Sequence, residues 1–467
     1  MPTRQAILLT EAFSRFRGRK IDVRLSRHFE ELYSRVSNPP FTAPFLANSM
    51  KLLKESNNEH IPVLAQSPNM SSPSEGLLDR FSDQRRTQDI HASETHSDWY
   101  TFLDQEGRRR LLVACFMFDV HQSMCHQQPR SKAIRDNSQP LIHMPCPESI
   151  WDATNALDWE ILRSNYIVQP LHLLEGELSS QYVLNLSPFP QSLLICWFAA
   201  QLPAREDLQY PDDFHFLPQS TNSNAGIDNF MSLFHTSPLA HTYLSLYHTP
   251  LHSLLAIACD TWVFGKKITP PSAFHAAQAC LKIWSTSLTA ARATHHACQV
   301  LSAALSQPLE STNNCGNNNN NNNNTQSLSN YWSLYTAALT CWAFGNRYQT
   351  SGSNAPNRSA SLNPTTPTAG SLPRSSSRSS ELGSAVDTSI AEENRRKALS
   401  YVTKMLGFSS PEELLTAKAC VRADTQGVIE AVKQRLELET VGSKCGLLID
   451  AVVVLGKIRN AGRGSWF

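Results

Sequence analysis

The stretch Glu106–Pro129, EGRRRLLVACFMFDVHQSMCHQQP, decides the fold. Three arginines lead a run of mostly apolar residues that carries two cysteines, two histidines and a single acid, Asp119. The apolar run falls well short of the roughly 20 residues that span a bilayer, so it reads as a buried helix with an arginine-bearing N-terminal shoulder. Asp119 interrupts the apolar run. A buried carboxylate of this kind needs an arginine or a helix-end donor as partner, and the same holds for Asp260 further along.

Outward from this segment, the same helical spacing recurs and strand-like alternation is scarce. The expectation is an all-α fold: a large helical domain with low-complexity insertions. Residues 1–36 read as two short helices around a basic joint, with Ile7, Leu8, Leu9, Ala12, Phe13 and Phe16 on one stripe and Leu25, Phe29, Leu32, Tyr33 and Val36 on the other. Residues 37–95 are rich in Pro, Ser and Asn and read as a loose linker with room for one local helix. Residues 96–305 form the main helical body. Within it, Pro147 and Glu148 fit a helix start, Pro250 and Gly265 bracket another helix, and residues 271–306 read as one long alanine-rich helix. Residues 306–330 hold the asparagine run Asn317–Asn324, which has no apolar area to offset the entropy of ordering. Residues 331–348 return to the helical body, 349–389 are Ser/Pro-rich linker, and 390–467 form a C-terminal helical segment. There Ser410 and Glu413 resemble a capping box, and GLLIDAVVVLGKI closes as a helix, with strand as the alternative.

Charge is nearly balanced, 41 Lys and Arg against 40 Asp and Glu, so no global field draws the chain to nucleic acid or anionic membrane. Hydrophobic content of 41% suits a globular body interrupted by polar filler. The 11 cysteines fall without CxxC pairs and mostly inside apolar runs, the pattern of buried thiols in a reducing compartment. No secretory signal pattern stands at the N-terminus.

The chemistry-bearing motifs are few. His121 and Cys125 share a helical face, and His143 with Cys146 could complete a tetrahedral set, yet the spacing matches no zinc-site architecture. The expectation is therefore no metal and no cofactor in this chain. There is no GxSxG elbow, HExxH pair, P-loop or GxGxxG, so no enzyme is expected. Arg15, Arg17, Arg19 and Lys20 are candidate phosphate contacts, while Arg108, Arg109 and Arg110 read as a solvated or acid-paired helix flank. His295–Leu301, HHACQVL, reads as an amphipathic helix turn and not as a ligand trio.

The quoted stretch resembles the regulatory domain of fungal zinc-dependent transcription factors, their middle homology region. The positions that carry the resemblance are Arg109 and Arg110 before the helix, Phe118 and Asp119 within it, Ser123 one turn on, and Pro129 beyond its end. MPCPESIWDATNALDWE is similar to the family's acidic, tryptophan-containing segment through Pro145, Pro147, Trp151 and Trp159. TPLHSLLAIACDTWVFGKKI and YWSLYTAALTCWAFG look like later helices of the subgroup carrying two Cys2His2 fingers. The sequence departs from that pattern at Val120, where an arginine is usual, and at Gln127 and Gln128, where a glycine is expected. It also contains no Cys-Cys-His-His series.

The resemblance implies a nuclear regulator of RNA polymerase II transcription that contacts the transcription machinery or co-regulators. It further implies a small-molecule inducer, homodimerisation, and no membrane. DNA contact, and the zinc it requires, would belong to a module missing from this sequence. A helical scaffold without transcriptional activity and a helical enzyme are the rival readings.

Overall fold

The long apolar helix extends far beyond its quoted core. In the computed structural model, α1 (Pro2–Arg17) and α2 (Arg27–Ser37) precede α3 (Leu77–His126), a helix of 50 residues. The structure describes residues 2–17, 25–37, 77–131, 141–174, 176, 178–203, 224–258, 262–263, 266–267, 271–306, 328–346, 382–417, 421, 424–438 and 446–461. Because α3 starts at Leu77, it crosses the boundary drawn at residue 95, and Arg109 and Arg110 lie inside the helix, not ahead of it. Just ahead of these arginines the helix already carries core residues. Trp99 and Phe102 pack on the cluster of Cys146, Ile150 and Trp159, continuing the face on which Glu106, Arg109 and Arg110 follow at helical spacing.

The chain divides into two compact units, one containing residues 22–204 and the other 241–467. In the first unit, α4 (Glu148–Trp151), α5 (Ala156–Arg163), α6 (Leu171–Leu174), α7 (Ser180–Leu184), α8 (Pro188–Ala200) and α9 (Asn224–Phe234) follow α3. Pro147 stands at the N-cap of α4, as the sequence suggests, but the helix ends after one turn. Asn155 then caps α5 by accepting from the Asp158 amide at 2.9 Å. The helix α8 is apolar on nearly every side and is buried along most of its length, packing on α3 through Phe116 and Trp197. Phe198, Phe230 and Phe234 extend that core between α8 and α9.

The second unit is built from the later part of α10 (Pro238–Tyr247), then α11 (Leu251–Ile257), α12 (Pro271–Trp284), α13 (Leu288–Leu305), α14 (Leu328–Gly345), α15 (Leu382–Leu406), α16 (Pro411–Thr416), α17 (Gln426–Leu438) and α18 (Gly446–Ala461). Pro250 caps α11, which stops at Ile257, well before the end expected at Gly265. A two-stranded hairpin of β1 (Trp262–Val263) on β2 (Lys266–Lys267) follows; Asp260 and Gly265 themselves lie outside the described residues. Residues 271–306 are two helices, not one. Ser287 accepts from the Ala290 amide at 3.2 Å and starts α13 afresh. The capping box forms at α16: the Glu413 amide donates to Ser410 Oγ at 3.3 Å, and the Glu413 carboxylate reaches back to the Ser409 amide at 2.9 Å. GLLIDAVVVLGKI is helix throughout. Apart from that hairpin the described fold is all-α. The asparagine run lies outside the described residues, and α15 begins at Leu382, inside the stretch read as Ser/Pro-rich linker. No described helix is long and apolar enough to cross a membrane.

Candidate functional site

Two networks of buried charge on α3 gather Arg109, Arg110, Trp151 and Asp119 from the residues that the family resemblance singles out. In the first, Glu106, Arg109 and Arg110 stand three and four residues apart on one helical face. Glu106 is fully buried. Its Oε1 accepts from the Cys146 amide at 2.9 Å and from Arg110 Nε at 3.2 Å, while Oε2 pairs with Arg109 Nη1. Arg110 reaches on to Glu148 Oε2 at 3.2 Å and donates to the Cys146 carbonyl at 3.0 Å. Its guanidinium lies 4.6 Å from the Trp151 ring centroid and 5.6 Å from that of Phe189. Burial works against this charge, but Glu148, Cys146 and Glu106 more than restore it, and the Arg110 pKa stands above its ordinary value. The network ties the segment before α4 and the start of α8 to the long helix.

The second network centres on Asp119, which is 1% exposed. Its Oδ2 accepts from Arg130 Nε at 3.0 Å and its Oδ1 from the Ser131 amide at 2.7 Å. Ser131 Oγ donates in turn to the Glu30 carboxylate of α2, and Arg130 lies 5.2 Å from the Phe116 ring centroid. Burial raises the Asp119 pKa above the usual carboxylate value, against the pull of Arg130 and the Ser131 amide. Burial and the neighbouring Asp119 also hold the Tyr33 phenol well above its ordinary value. The arginine partner expected of Asp119 is therefore present, joined by the backbone amide of Ser131 just past the end of α3.

Ser123 is half-buried on α3, and Pro129 is exposed just past its end. Between them Gln127 holds a positive φ of 51°, a conformation that favours glycine, at one of the two positions where the family's glycine is missing. Trp159 is buried against Phe102, 5.3 Å between ring centroids, with Arg163 at 4.4 Å from its own.

Of the two readings of the opening arginines, solvated or acid-paired, the acid-paired one holds for all three. Arg109 is 6% exposed and pairs with the fully buried Glu106, and of the three only Arg108 pairs at the surface, with Asp104 at 2.6 Å. Arg109 and Arg110 are thus neutralised internally and present no face to phosphate. Arg15 and Arg17 lie in the last turn of α1, while Arg19 and Lys20 lie outside the described residues.

His121 Nδ1 stands 3.7 Å from Cys125 Sγ, and Cys146 is drawn into the Arg110 network instead of joining them. Burial presses His121 and His143 down to about 4 and pushes Cys115 and Cys146 up to about 12, so the rings stay neutral and the thiols protonated at neutral pH. Among the described residues no group of three or more His, Cys, Asp or Glu side chains is placed to hold a metal ion.

Sequence reasoning passed over Glu30, Glu106, Arg130, Ser131 and Glu148, all members of the two networks. His296, read from the sequence as part of a helix turn, also gathers two histidines of the second unit that the sequence reading did not join to it. His296 Nδ1 stands 3.1 Å from His241 Nδ1, and its ring stacks on His248 at 6.3 Å between centroids. The spacing of His241 and His248, two turns apart beside an apolar run, was the available signal.

At the surface of the first unit, α5 buries Ala156 and Trp159 and turns Leu157 (64% exposed) and Ile161 (72% exposed) outward. Ile167, Leu173, Tyr182 and Leu184 are exposed in the segments that follow.

Residues 10–195 match the family model of the fungal specific transcription factor domain, and the chain carries that domain over this stretch. The match takes in both charge networks and α5. No curated protein and no solved structure matches the chain.

Proposed function

We propose that this chain regulates RNA polymerase II transcription in the fungal nucleus through protein contacts made by its helical regulatory domain. The domain match over residues 10–195 carries the reading. Two features of the matched stretch support contact with protein over contact with nucleic acid. Its buried arginines are spent on Glu106, Glu148 and Asp119, and its surface offers apolar side chains at Leu157, Ile161, Leu173 and Tyr182. DNA would be engaged by a separate module, of the paired Cys2His2 kind carried by the subgroup whose later helices this sequence resembles, and zinc would belong to that module alone. Co-regulators or the transcription machinery are the partners this reading names, with a small-molecule inducer and homodimerisation as the means of control. The two charge networks then set the register of α2, α4 and α8 on α3, so that a ligand or partner that shifts one segment re-poses the surface beside it.

The test is a reporter assay with the full chain fused to an independent DNA-binding module. Reporter output that changes with growth condition, and that falls with Ile161→Asp at unchanged protein level, is the expected result. Silence across conditions from a folded nuclear fusion refutes the reading. A silent reporter with a partner that is still lost on Ile161→Asp would favour a helical scaffold, the reading that the same exposed side chains support.

A further inference from the structure

We propose that Cys298 and Cys341 form a redox site, a dithiol that a hydroperoxide closes to a disulfide joining α13 to α14. Their sulfurs are 3.9 Å apart across the contact between these two helices, and both cysteines are free and fully buried. The two positions are 43 residues apart in sequence, so the bond would close a loop containing all of residues 306–327. Small buried residues on both helices, Ala290, Ala293 and Ala297 on α13 and Ala337 and Ala338 on α14, allow the close packing that brings the sulfurs together.

A disulfide needs its sulfurs at about 2.05 Å, so rotation about the two Cα–Cβ bonds and a small approach of the helices must supply the rest. The chemistry balances with the peroxide as oxidant. One sulfur, as thiolate, attacks a peroxide oxygen and becomes a sulfenic acid, releasing alkoxide that takes up the thiol proton as an alcohol or water. The second sulfur attacks the sulfenic sulfur and expels the hydroxyl group as water. Two thiols and one hydroperoxide give one disulfide, one alcohol and one water, with two electrons passing from sulfur to peroxide.

The hydrogen bond with Cys341, and then burial, hold the Cys298 thiol protonated, which slows the first step to the pace of transient opening. The second step has its partner in contact and is fast. Sulfenic acid should therefore not accumulate in the native pair. The product would fasten the two helices that flank residues 306–327, giving the second unit a form that persists until a thiol reductant opens it. The inference stands independently of the transcriptional reading.

The experiment treats the purified, fully reduced chain with hydrogen peroxide, blocks remaining thiols with N-ethylmaleimide under denaturing conditions, and maps peptides by mass spectrometry. The expected result is loss of two alkylatable thiols, a peptide pair joined through Cys298 and Cys341 that dithiothreitol separates, and an upward shift in the unfolding temperature. Trapping with dimedone should label neither cysteine in the wild-type chain but should label the survivor in Cys298→Ser and Cys341→Ser, where the resolving sulfur is gone. The inference is overturned if both thiols remain alkylatable while other cysteines oxidise, or if either goes on to sulfinic acid unpaired. The wild-type peptide map decides the matter even if a variant does not fold.

Discussion

Replacing Arg130 by methionine isolates the charge that Asp119 depends on. The methionine keeps an unbranched stem over Phe116, so packing is largely retained, while the carboxylate loses the 3.0 Å donor and keeps only the Ser131 amide at 2.7 Å. An uncompensated buried charge costs about 3–5 kcal/mol. Because the Arg130 side chain is 17% exposed, water relieves part of this, and the lower end, about 3 kcal/mol, is the expectation. At roughly 2–4 °C per kcal/mol for a unit of this size, the melting temperature of the first unit should fall by about 6–12 °C. Calorimetry gives the number, and hydrogen exchange in peptides from residues 110–131 assigns it to this unit. The double variant Asp119→Asn/Arg130→Met removes both charges and keeps an acceptor for the Ser131 amide, so it should recover about two-thirds of the loss.

The sign with pH follows from the raised Asp119 pKa. A carboxyl held above its unfolded value stays protonated in the folded state where the unfolded chain has lost its proton, so its contribution is full below the unfolded pKa and is lost as pH rises through the folded one. Removing Arg130 raises that folded value further. The deficit of Arg130→Met relative to the wild type should therefore shrink as pH falls from 7 to 5. A single variant within about 1 kcal/mol of wild type, or a double variant no better than the single, would refute the reasoning.

Three further outcomes are expected. Gly427→Ala places a methyl 2.7 Å from Lys397 Cβ and 3.1 Å from the Ala398 amide nitrogen, where α17 meets α15. It should destabilise the second unit by about 1–3 kcal/mol in urea titration, and an unchanged midpoint would show that the helices separate freely. Gln127→Gly relieves the positive φ of 51° and should raise the melting temperature of the first unit by a few degrees, about 0.5–1 kcal/mol; a lower one would mean that the Gln127 side chain outweighs the backbone strain. Acidification acts through His121 and His143, both pressed to about 4 by burial, and through His296, lowered by burial and by His241, His248 and His295. The unfolded chain takes up these protons near pH 6.5 and the folded chain does not, so stability is full above 6.5 and falls through the window down to 4. Each histidine contributes up to about 1.4 kcal/mol per pH unit, and three of them outweigh the opposite slope of Asp119. Urea midpoints equal at pH 7.5 and 5 would refute the buried, neutral state of these rings.

How much of this was legible in the sequence depends on how far away the partner of each residue lies. Asp119 was readable because a carboxylate inside an apolar run has no stable state without a donor, and Arg130 and Ser131 stand only 11 and 12 residues on. The α16 capping box was readable because it is closed within four residues. The break at Ser287 was hidden by the alanine-rich pattern on both sides, although serine is a strong N-cap. Glu106 is the instructive failure. At three and four residues from Arg109 and Arg110 it has the spacing of an ordinary exposed helical ion pair, and local pattern cannot distinguish the two cases. What buries it is the return of Cys146 and Glu148, about 40 residues later, onto the same face. The arginines therefore looked like a surface flank until the chain that covers them was in place. The same closure makes the family-like positions Arg109 and Arg110 organisers of the first unit's interior, so that under the proposed function it is the exposed apolar side chains of α5, and not these charges, that the matched stretch would offer to a partner.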